Sequence, residues 1–77
     1  MAQVKLGERI MADPEILGGK PLVAGTRVSV ELILGQLGRG QTPDEVSRQY
    51  GVSREDVLAA IRFAAETVGR DSFAPAP

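Results

Sequence analysis

The chain is expected to be mainly α: a short N-terminal β-hairpin or arm followed by three helices, the last two in a helix-turn-helix layout. Three observations carry this. Thr42 to Ile61 reads as two short helices joined by the turn Gly51-Val52-Ser53. Val30, Ile33, Leu34 and Leu37 recur at the i, i+3, i+4, i+7 spacing of one apolar helical stripe. Ahead of both, Gly and Pro punctuate short runs of alternating apolar residues, the pattern of strands and turns.

Val4 to Ala12, VKLGERIMA, alternates weakly and admits a short strand. Asp13-Pro14 begins a turn, since the proline ring disfavours helix at the preceding residue, and a turn of helix over Glu15 to Leu17 follows. Gly18-Gly19-Lys20-Pro21 breaks the chain again. Leu22 to Val30 reads as a hairpin or extended arm bent at Gly25, with Val28 and Val30 alternating with Arg27 and Ser29.

Ser29 or Val30 opens the first helix, which ends at Gly38-Arg39-Gly40. Thr42 caps the second, Pro43 suits its first turn, and Glu45 three residues past the cap completes a capping box. Val46 and Tyr50 share its inner face, and Gly51 supplies the left-handed residue that ends it. Ser53 caps the third helix, expected to place Val57, Ile61, Ala64 and Val68 inward with Leu58 and Ala65 beside them. Glu55, Ala59, Arg62 and Glu66 are expected to face away. The reading is one domain over residues 1–69, with an arm over 1–30, a helical core over 30–69 and a mobile tail over 70–77.

The 77 residues contain no cysteine and no histidine, which removes disulfides, thiol nucleophiles, imidazole bases and zinc sites of the usual ligand type. No catalytic, cofactor or metal residue stands out. Asp13 and Glu15 are read as capping and solvated charges, and Gly18-Gly19-Lys20 has the wrong spacing for a phosphate loop. A binding protein without cofactor or small-molecule substrate is expected, not an enzyme. Apolar runs are too short to cross a bilayer and no signal-peptide core is present, so a soluble cytoplasmic protein is the default. A chain this small needs support beyond its own core, and a homodimer is the remaining means.

Net charge is -1, unusual for a protein whose only business is DNA. Between Thr42 and Glu66, Arg48, Arg54 and Arg62 are outnumbered by Asp44, Glu45, Glu55, Asp56 and Glu66. If the third helix does meet DNA, the outward candidates are Ser53, Arg54, Glu55, Ala59 and Arg62. The same pattern serves any three-helix core.

Asp13-Pro14-Glu15-Ile16-Leu17-Gly18-Gly19-Lys20-Pro21-Leu22-Val23-Ala24-Gly25-Thr26-Arg27-Val28 resembles the hallmark of a widespread prokaryotic domain-of-unknown-function family, the one numbered 433. The likeness continues through Val30 to Leu34, Thr42-Pro43-Asp44-Glu45, Tyr50-Gly51-Val52-Ser53 and Asp56 to Ala60, spanning about Arg9 to Glu66. The resemblance implies a homeodomain-like three-helix fold preceded by a small hairpin. It also implies an antitoxin of a two-gene toxin-antitoxin pair, encoded beside a PIN-like ribonuclease.

On that expectation the arm pairs with a twofold mate, and the candidate dimer interface is Val23, Gly25, Arg27, Val28, Val30, Ile33, Leu34 and Leu37. Candidate toxin contacts are Phe63, Arg70, Asp71 and Phe73 with the tail. The leading expectation is a dimeric antitoxin that neutralises the ribonuclease by protein contact and represses its own operon. The alternatives are a stand-alone helix-turn-helix regulator that binds operator DNA and a structural dimerisation module.

Overall fold

The computed structural model describes residues 2–74; the expected tail is therefore described as far as residue 74, and the part of it over 75–77 lies outside the described residues. An antiparallel three-stranded sheet is built from β1 (Val4–Gly7), β2 (Ile10–Ala12) and β3 (Leu22–Val23), in that spatial order. A turn of 3-10 helix at Leu17–Gly19 separates β2 from β3. Three helices follow: α1 (Val30–Gly38), α2 (Pro43–Tyr50) and α3 (Arg54–Gly69).

The N-terminal segment, expected as one weak strand, is a hairpin. Val4 pairs with Ala12, Lys5 with Met11 and Gly7 with Ile10, and a bulge at Leu6 shifts the register. The hairpin turns through Arg9, whose φ of 67° is a conformation usually left to Gly, Asn or Asp. Two contacts hold it there: the Arg9 carbonyl accepts from Ala24 N–H at 2.8 Å, and its guanidinium reaches Asp56. Neither contact is written in the local sequence.

The bend expected at Gly25 is present. Thr26 N–H donates to Val23 C=O across a four-residue turn, and Gly25 at φ 77° occupies the position that requires a left-handed residue. The returning arm is not a strand. It makes one bridge, Ser29 to Leu22, and runs directly into α1, while β3 pairs with β2 through Ile10 to Val23 and Met11 to Leu22. The helical turn expected over Glu15 to Leu17 lies at Leu17–Gly19. It follows an Asx turn in which Glu15 N–H donates to Asp13 Oδ1 at 2.9 Å.

The helix boundaries follow local chemistry. Ser29 Oγ accepts from Leu32 N–H and starts α1. Thr42 and Glu45 exchange bonds at 3.1 and 2.8 Å, completing the capping box of α2. Gly51 ends α2 at φ 70°. Ser53 and Asp56 form a second capping box, with bonds of 3.0 Å in both directions, that starts α3. Ser47 Oγ donates to Val52 C=O and ties α2 to the turn that follows it.

The core joins all layers: Ile10 and Val23 from the sheet, Val30 and Ile33 from α1, Val46 and Val52 from α2 and its turn, and Val57, Ala59 and Ala60 from α3. Tyr50, Leu34, Leu37, Val28 and Phe63 pack at its margin. Hence Val23, Val30 and Ile33, expected on a dimer interface, are buried within the single chain, in the core that the sheet, α1 and α2 form around α3. Gly25 and Arg27 are exposed, and Val28, Leu34 and Leu37 are partly covered.

The face of α3 is rotated from expectation. Because β1 and β2 as well as α1 and α2 pack against this helix, its buried arc runs from Val57 through Ala60 to Ala59. Ala59, expected to face outward, is 3% exposed. Ile61 and Val68, expected inside, are 37% and 57% exposed.

Candidate functional site

Three surfaces meet along α3. At its N-terminus the first turn holds Glu55 and Asp56, and the Ser53 N–H donates to Asp56 Oδ2 at 3.0 Å. Arg54 turns back to α2, its Nε lying 3.2 Å from Asp44 Oδ1. The helix end that would have to approach a phosphate is thus occupied by its own carboxylates. Of the five residues considered for DNA, Ser53 is spent as a cap, Arg54 is paired and Ala59 is buried. Glu55 carries the wrong sign for a phosphate, and Arg62 is exposed.

Asp56 links α3 to the sheet. Its Oδ1 lies 3.1 Å from Arg9 Nη1 while Oδ2 serves the cap. Burial pushes this carboxyl up, but the Ser53 backbone N–H and the Arg9 guanidinium together hold it below the ordinary carboxylate value. Glu45 is lowered chiefly by the Thr42 backbone N–H, and Glu31 by its 2.8 Å bond from Lys20. Lys20, in the glycine-rich turn, therefore answers a helix carboxylate. These groups act as clasps between elements.

The second surface is a groove between α1 and the C-terminal half of α3. Pro21, Val30, Leu34, Phe63, Ala64 and Val68 line it with Glu31 and Thr67 at its edge, enclosing about 310 Å³. Phe63, a candidate toxin contact, is half-buried: it packs on the core, and its ring lies beside Gly7 of β1. It forms the floor of the groove.

The third surface is a stripe on the solvent side of α3. Leu58, Ile61, Ala65 and Val68 follow one another at spacings of three, four and three residues, the a/d repeat of a helix seam. Ile61, Ala65 and Val68 are exposed, and Leu58 is half-buried but outside the core cluster. The repeat is visible in the sequence, yet it competes there with the 3.6-residue stripe of the core face. Beyond α3, Arg70 and Asp71 are exposed and Phe73 is 81% exposed. The four residues grouped as toxin contacts are therefore split between the groove floor and the tail.

Among the described residues no cluster of three or more acidic, histidine or cysteine side chains is placed to hold a metal, and no helix is long and apolar enough to cross a membrane.

A solved structure, the X-ray crystal structure of Rv2018 from Mycobacterium tuberculosis, is similar at 32% identity with a TM-score of 0.65. The match covers 73% of this chain and 27% of that one, so the chain spans about a quarter of the length of its structural relative. No curated protein matches. Residues 10–64 match the family described as "Protein of unknown function (DUF433)", from β2 into the second half of α3, and this chain belongs to that family.

Proposed function

We propose that this protein is a non-catalytic, dimeric binding protein that works as an antitoxin, holding a PIN-like ribonuclease inactive by protein contact. Its α2-turn-α3 unit is a homeodomain-like helix-turn-helix that serves as scaffold. The observation that carries the reading is the apolar groove left uncovered between α1 and α3 over Phe63, with the exposed Phe73 beyond the helix. Uncovered apolar area on so small a domain is the mark of a protein-binding face. The likeness to Rv2018, in which the matching fold is 27% of a longer chain, supports a module that operates beside other protein.

Operator binding through α3 is the weaker reading, because that helix starts with carboxylates and its first arginine is paired to Asp44. The test is co-expression with the product of the adjacent gene, affinity capture and an RNA cleavage assay. A stable complex that abolishes cleavage is expected. A chain that captures nothing and leaves cleavage intact overturns the reading.

A further inference from the structure

We infer that the solvent-side stripe of α3 is the homodimer interface, taken up by the same stripe of a second copy running antiparallel. The inference rests on the dimeric part of the proposed function and is preferred to arm-to-arm pairing because Val23, Val30 and Ile33 are already buried within the single chain.

The occupant is chosen by self-complementarity. An antiparallel alignment about a twofold axis near position 63 sets Leu58 against the partner's Val68 and Ile61 against the partner's Ala65. Each layer then holds one larger and one smaller side chain and fills evenly. A parallel alignment would stack Ala65 on its own copy and leave a gap.

In the antiparallel arrangement the charges fit. Side chains on a helix lean toward its N-terminus, so Arg62 leans toward the partner's Glu66 and away from the partner's Arg62. Both residues are exposed, and among the described residues neither makes an ion pair within its own chain. Antiparallel helix dipoles favour the same choice.

The groove over Phe63 adjoins this seam at Ala64 and Val68 and is left to the ribonuclease. The same seam closes α3 to nucleic acid. The outward face of α3, including Arg62, is covered in the dimer.

Light scattering over a range from low to high micromolar tests the interface on the full chain, with Ile61→Glu and Ala65→Glu as variants. Both positions are exposed, so circular dichroism is expected to stay near wild type, and the urea midpoint to differ only by the lost dimerisation, converging with wild type at protein concentrations where both are monomeric. The dimer dissociation constant is expected to rise about tenfold or more, as for a charge placed at an interface centre. The chain lacks cysteine, so Ile61→Cys and Ala65→Cys can be mixed and oxidised. The mixed disulfide should exceed either homodisulfide.

A wild-type chain that stays monomeric overturns the inference, as does a dimer indifferent to both charge variants. Loss of ribonuclease capture in Ile61→Glu with a monomeric wild type also overturns it and assigns the stripe to the ribonuclease. A dimer sensitive to these variants that captures no ribonuclease supports the interface while the antitoxin reading fails.

Discussion

Arg9 and Asp56 lie 47 positions apart in sequence and meet at 3.1 Å, so that one carboxylate both caps α3 and clasps the N-terminal hairpin to it. Asp56→Ala is expected to cost about 1 to 2 kcal/mol, the range for loss of a helix cap, read from urea unfolding. Arg9→Ala should cost less, because its guanidinium is partly exposed. The double mutant should fall short of additivity by about 0.5 to 1 kcal/mol, and strict additivity would show that the clasp carries no coupling.

Acid should loosen the molecule by the same route. Asp56, Glu45 and Glu31 all have carboxyls held below their ordinary values in the fold. Their contribution is complete above the ordinary carboxylate value, and it is lost as pH falls through the lowered values and the folded state must take up protons. The urea midpoint is expected to be flat near neutrality and to fall between about pH 5 and pH 2. In Asp56→Ala the fall should be shallower, and an unchanged slope would remove Asp56 from the account.

Burial of Ile33 separates core from interface. Ile33→Ala should cost about 2 to 5 kcal/mol, comparable with the entire stability of a domain this small, and should unfold the chain at any protein concentration. Exposed Arg27→Ala should leave both stability and self-association unchanged. Circular dichroism against concentration reads both outcomes.

Gly51 ends α2 with φ 70°, a conformation an alanine side chain strains, although no atom lies within 4 Å of where its Cβ would stand. Gly51→Ala is therefore expected to cost about 1 kcal/mol from backbone strain alone, while Gly35→Ala, inside α1 with equally open space, should stabilise by about 0.5 to 1 kcal/mol. Thermal denaturation of the pair separates backbone conformation from packing.

Phe73 is the most exposed large apolar side chain among the described residues. Phe73→Ser should leave the unfolding midpoint unchanged and weaken capture of the ribonuclease about tenfold or more, as loss of an aromatic anchor does. Capture at wild-type strength would confine the contact to the folded part.

The helices were legible from sequence because their signals are local. A cap three residues ahead of its acidic partner, a proline in the first turn and a glycine past the last turn act within one helical turn, so Thr42, Glu45, Gly51 and Ser53 mark boundaries without reference to the rest of the molecule. The bend at Gly25 is local in the same sense. The hairpin through Arg9 was not legible, since a left-handed arginine is sustained by Ala24 and Asp56, far away in the chain. Missing that hairpin also misplaced the core face of α3, for it is the sheet that covers Ala59 and leaves Ile61 and Val68 in solvent. Apolar periodicity established that α3 has an inward face; only the packing of α1, α2 and the sheet around it decided which of its two apolar stripes that is, because burial depends on what else occupies the space.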